Sequence, residues 1–162
     1  MSTKHQQMQT FMRYYKEQTG ETDLDMHKVA ALAEKTGWKM PKPKTPLELL
    51  AQEFSQAARV EVRSDDESGH PYRANHAYPT KHGDTTLWLW VDIDEAPRKT
   101  MVKCLFTRRD QMVGDAVQLT FDKDHWNRIH PSEEPITIPL DFTDDVEWRK
   151  NEPLEDEDEE AV

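Results

Sequence analysis

Apolar positions repeat with a helical period over one long stretch, Arg98 to Phe121. Met101, Leu105, Met112, Ala116 and Leu119 recur at spacings of three, four and seven, and Val102, Phe106, Val113 and Val117 widen the same stripe. A face this broad demands a cover, from the upstream chain or from a second copy of it. Asp94 stands where an N-cap belongs, with Glu95 and Pro97 in the first turn. Gly114, inside the run, costs about 1 kcal/mol against alanine and implies a close helix contact or a kink. Asp122 and the residues after it read as a short separate helical turn.

Upstream the pattern is helical, then alternating. Residues 1–9 are polar and expected to fray. Phe11, Met12, Tyr14 and Tyr15 start a helix that stops at Gly20. Thr22 or Asp23 caps a second, with Leu24, Val29, Leu32 and Ala33 on one face, ending at Gly37. Thr45, Pro46 and Glu48 open a third as cap, first residue and capping-box partner, and it runs to about Arg63. After the turn cluster SDDESGH the period becomes two. Tyr72 to Tyr78 and Thr86 to Ile93 read as the strands of a hairpin, with PTKHGDT as a longish loop between them. The face bearing Trp88 and Trp90 should be at least partly covered. From His130 three prolines impose an extended course, with Ile136, Ile138, Leu140 and Phe142 as anchors and Val146 and Trp148 continuing the docking.

These elements predict an α+β, mostly helical fold: three N-terminal helices, a wing-like β-hairpin, one long C-terminal helix and an extended acidic tail. The expected organisation is a body over 1–128, a docked extended segment over 129–150 and a disordered acidic tail over 151–162. The element order resembles a winged helix with a C-terminal extension. It departs from that pattern between the second and third helices, where about eight residues with two prolines replace the tight turn of a helix-turn-helix. The stretches RRDQMVGDAVQL and HPSEEPITIPLDFTDD resemble short bacterial proteins of mobile-element type. That likeness carries no activity over; it implies a bacterial origin and a tilt toward nucleic-acid business.

Charge changes the picture, because it is unevenly placed. Residues 1–110 hold 17 Lys and Arg against 16 Asp and Glu, whereas residues 111–162 hold 4 against 16. The net charge of −11 therefore belongs to the last third, and a near-neutral body retains room for a basic patch. Cys104 is the single cysteine, which excludes a disulfide framework and a multi-cysteine zinc site within one chain. It reads as a small buried hydrophobe. The N-terminus lacks the apolar core of a signal peptide and no run reaches the length of a membrane span, so a cytoplasmic protein without a membrane partner is expected.

The candidate chemistry is positive charge. Lys35, Lys39, Lys42 and Lys44 surround Trp38, and no acid falls between Lys35 and Glu48. Cations neutralise phosphate and an aromatic packs on sugar or base. Arg73 and Lys81 on the hairpin add to this, as do Arg98, Lys103, Arg108 and Arg109 on the long helix. The favoured reading is a non-catalytic DNA-associated binding module or regulator, without a cofactor. The alternative is a protein-interaction adaptor in which Leu140, Phe142 and Trp148, with the acidic end, meet a basic protein surface. A small metal-dependent hydrolase is a second alternative, with His76, Asp92 and Asp94 as weak ligand candidates outside any known spacing. No catalytic residue is assigned, since P-loop, GxGxxG, GxSxG and HExxH motifs are all missing. Oligomeric state is left open, a dimer through the long helix included.

Overall fold

In the computed structural model, residues 2–152 are described; the expected acidic tail from 153 onward lies outside them. The fold is α+β. Five helices, α1 (Lys4–Thr19), α2 (Met26–Lys35), α3 (Pro46–Val60), α4 (Arg98–Ile129) and α5 (Thr143–Lys150), accompany four strands, β1 (Val62–Ser64), β2 (Pro71–Arg73), β3 (Asn75–His82) and β4 (Thr85–Asp92). The strands form two separate antiparallel ladders, β1–β2 and β3–β4. Two compact units divide the chain, Met1–Leu49 and Leu50–Val162, and the boundary falls within the first turn of α3. The expected body over 1–128 thus takes in the first unit and most of the second.

In the first unit, α1 packs on α2. It starts earlier than its apolar residues indicate, because Thr3 and Gln6 form a capping box: the Thr3 N–H donates to Gln6 Oε1 at 2.7 Å and the Gln6 N–H to Thr3 Oγ1 at 3.2 Å. Residues 4–9 are therefore helix. α2 is capped by Asp25, whose Oδ1 accepts from the His27 N–H at 2.9 Å, and not by Thr22 or Asp23. Tyr15 and Val29 are the buried apolar residues of this unit. The Thr45–Glu48 capping box forms as expected at the start of α3.

In the second unit, α3 ends at Val60 rather than Arg63. Val62–Ser64 instead pairs with Pro71–Arg73, closed by Asp65, whose Oδ1 accepts from Ser68 and Glu67 N–H groups. Tyr72 belongs to this small ladder and not to the hairpin. The hairpin itself has a two-residue turn, Gly83-Asp84, where a longer loop is expected: Thr80, Lys81 and His82 continue the ladder against Leu87, Thr86 and Thr85. Gly83 has φ +62°, and among the described residues no non-glycine has positive φ, Asp84 included, the pattern of a II′ turn whose twist suits two strands.

α4 departs from expectation at both ends. Pro97, not Asp94, occupies the N-cap, because Asp94 is bonded elsewhere. The helix also runs without a break through Asp122 to Ile129, since no glycine or proline interrupts it until His130-Pro131. α4 packs against β3, where Cys104 is buried. Beyond it, Asn127 holds Ile136 in both directions: its Oδ1 accepts the Ile136 N–H and its Nδ2 donates to the Ile136 carbonyl, each at 2.9 Å. Residues 131–142 carry no regular element, but Thr143–Lys150 is helix α5, which corrects the expected extended course to 150. Trp148 is 68% exposed, so it does not dock on the body.

Gly114 supplies neither a contact nor a need for one, because a Cβ there would meet nothing within 4 Å. Gly114→Ala should therefore stabilise the protein by about 1 kcal/mol in denaturant unfolding. A loss of stability would place another chain against that point of the helix.

Candidate nucleic-acid interface

Two arrangements of cations appear, one in each unit. In the first, Trp38 is half-buried, and its ring meets Phe11 edge-on at 5.5 Å between centroids. The loop that follows α2 is thereby anchored at its aromatic, while Lys35, Lys39, Lys42 and Lys44 remain exposed. Lys39 and Lys42 border a cleft of about 500 Å³ with Lys4, Gln7, Met40 and Pro41. Among the described residues none of these four lysines has a carboxylate within ion-pairing distance.

The second arrangement is a cleft of about 500 Å³ in the second unit. α3 supplies Arg59, β2 supplies Arg73, β4 supplies Trp88 and Trp90, and α4 supplies Arg108 and Gln111. Ser55 of α3, Asn75, His76 and Ala77 of β3, and Cys104 and Thr107 of α4 complete its wall; among the described residues no acidic side chain lines it, and Glu61 lies behind it, accepting from Asn75 Nδ2 at 2.6 Å. Arg59 donates only to Gln56 Oε1, at 3.3 Å, and among the described residues no carboxylate pairs with Arg59, Arg73 or Arg108. Three such guanidinium groups can donate in forked geometry to an anion, and two indoles beside them offer aromatic faces. Trp90 is half-buried and Trp88 is 53% exposed, so the indole face is only partly covered.

Arg63 shows what paired arginine looks like in the same unit. Its Nη1 donates to Asp92 Oδ1 at 3.0 Å and to Asp94 Oδ2 at 2.8 Å; its Nη2 donates to Asp92 Oδ2 at 2.8 Å and to Glu61 Oε1 at 3.0 Å. Tyr72 adds its hydroxyl to Asp94 Oδ2 at 3.0 Å. Asp92 and Asp94 are therefore engaged by cations, while His76 Nε2 lies 3.1 Å from the Arg73 carbonyl, in the cleft wall. The three weak metal candidates are not brought together, and among the described residues no group of three His, Cys, Asp or Glu is placed to hold a metal ion.

The other expected contacts divide. Lys103 is exposed but turned onto the hairpin: its ammonium donates to the Pro79 carbonyl and lies 5.4 Å from the centre of the Tyr78 ring. Lys81 and Arg98 are exposed and lie outside the cleft. Arg109 is exposed beside Asp110 at 3.8 Å, a separation worth little in water. Leu140, Phe142 and Trp148 are all exposed. Sequence reasoning did not assign Arg59, Trp88, Trp90 or Gln111 to a site. The alternation of Trp88 and Trp90 was the available signal; nothing in spacing ties Arg59 to them, since α3 and β4 are joined only by the fold. Cys104 is 2% exposed, and burial pushes its thiol up, with Lys103 opposing, which fits a packing residue.

No helix among the described residues is long and apolar enough to cross a membrane. No protein-family model, curated protein or solved structure matches the chain.

The Arg63 bonds hold the Asp92 carboxyl below the usual carboxylate range, helped by the Asp94 N–H and opposed by burial. The folded value lies below the unfolded one, near 4. The pairing should therefore stabilise the fold fully above that value and be lost as pH falls through the depressed one. Asp92→Asn should lower the melting temperature at pH 6–7, and the gap from the parent should close toward pH 2–3. A gap that is constant with pH would count against the ion pair.

Proposed function

We propose that this chain is a non-catalytic nucleic-acid-associated binding module, with hairpin β3–β4 in the part of a wing. The observation that carries this reading is the cleft of Arg59, Arg73 and Arg108 around Trp88 and Trp90, lined by no acid among the described residues. Guanidinium groups take phosphate oxygens in a forked geometry, and an indole takes the face of a base. Gln111 provides an amide that donates and accepts at a base edge, while the Asn75 amide nitrogen is held by Glu61 and the Ala58 carbonyl. The exposed lysines of residues 35–44 add sequence-independent attraction to the backbone. An unpaired nucleotide suits the cleft better than a stacked base pair, because only a free base can lie on an indole. DNA and RNA are both compatible with this chemistry.

Binding of labelled single- and double-stranded oligonucleotides, followed by anisotropy at low salt, tests the reading. Arg73→Gln with Arg108→Gln should reduce the slope of log affinity against log salt by about one per arginine removed. Trp88→Ala should weaken single-strand binding by about 1–3 kcal/mol. If no oligonucleotide binds at low salt, the reading fails.

A second reading, a protein-interaction adaptor, is supported by the exposure of Leu140, Phe142 and Trp148 beside Asp141, Asp144 and Asp145. Replacing the three apolar residues with alanine should abolish capture of a partner with a basic surface. Unchanged capture would remove this reading.

A further inference from the structure

We infer that α4 is the contact face of a homodimer in which two copies of the helix cross antiparallel. Cys104, Thr107 and Gln111 mark the side of α4 that meets the hairpin and cleft. With 100° per residue, Leu105, Phe106, Met112, Val113 and Val117 fall on the other side. They are left in water: Phe106 is 60% exposed, Met112 58%, and the other three 44–49%. With Val102 and Leu119 they leave roughly 600 Å² of apolar side chain per copy, more than the apolar share of a standard interface of about 800 Å² per partner. A soluble monomer has no use for such a stripe on its longest helix.

Charge chooses a second copy, and chooses its direction. Residues 98–109 carry five cations, Arg98, Lys99, Lys103, Arg108 and Arg109, and no acid. The next fifteen carry four acids, Asp110, Asp115, Asp122 and Asp124, against Lys123. A parallel pair would set Lys99 on Lys99 and Arg109 on Arg109. An antiparallel pair with its two-fold axis beside Met112 sets Leu105 near the partner's Leu119 and Phe106 near the partner's Val117. The same register brings Lys99 opposite the partner's Asp124. Among the described residues Lys99 has no carboxylate partner, and Asp124 has only its exposed neighbour Lys123, at 2.9 Å, a pair that adds little in water. The contact is isologous, so it closes at two copies. It lies on the face of α4 away from the cleft, and it does not depend on what the cleft binds.

Sedimentation and light scattering of the full chain should give twice the 19.0 kDa chain mass. Phe106→Asp with Val113→Asp, both at positions exposed in the single chain, should give a monomer with unchanged helical circular dichroism and at least ~100-fold weaker association. In a Cys104→Ala background, spin labels at Lys99→Cys should lie about 40 Å apart, the axial offset of an antiparallel pair, and not the ~10–15 Å of a parallel one. A monomer at concentrations of order 100 μM overturns the inference, and leaves the stripe to a foreign helix. A dimer that survives the double substitution, or a short label distance, overturns it equally.

Discussion

One guanidinium group ties the second unit together. Arg63 stands on a three-residue strand that could not hold its place alone, yet its two terminal nitrogens reach Glu61, Asp92 and Asp94. Asp92 is the last residue of β4 and Asp94 lies in the link to α4. The contact therefore fixes the small ladder to the hairpin and sets the point from which the long helix departs. Backbone bonds reinforce it: Ala74 donates to Glu61 and Ile93 to Ala74. With these ends fixed, Arg73, Trp88, Trp90 and Arg108 are delivered to one cleft from separate elements. Exposed ion pairs contribute little singly, but a planar donor shared among three acids is a network with bidentate geometry.

The same polar ties stand in for a core that is small. Among the described residues the buried apolar side chains are Tyr15, Val29, Ala74 and Cys104. Large apolar residues lie in water on α3 as well as α4, with Leu47 at 76% exposure. Single exposed leucines are ordinary, but a continuous stripe along a 32-residue helix is not. Lys103, bonded to Pro79 and lying on Tyr78, shows how α4 is held to the hairpin largely by one amphipathic side chain and by Cys104.

Periodicity made much of this fold legible. The apolar spacing marked the helices, and Thr45-Pro46 with Glu48 marked the start of α3. What it could not show was competition between partners. Asp94 has the chemistry of an N-cap, but Arg63, distant in sequence, takes its carboxylate. Pro79, Thr80, Lys81 and His82 look like loop residues, yet a glycine at the first position of a tight turn lets them pair. Helix α5 was hidden because eight residues rich in Asp and Glu give too little period to read. For the cleft, Arg73 and Arg108 were legible as cations. Their convergence with Arg59 and the indoles was not, because five elements contribute to it and no local spacing encodes that.

The clasp between Asn127 and Ile136 limits how far Leu140 can range. A lone side-chain amide satisfies both backbone groups of Ile136 as a neighbouring strand would. The chain beyond is thus moored near the last turn of α4, and four residues of extended backbone span at most about 14 Å. Leu140 is kept within that radius of the helix end, so a short leash holds this irregular stretch of chain close to α4.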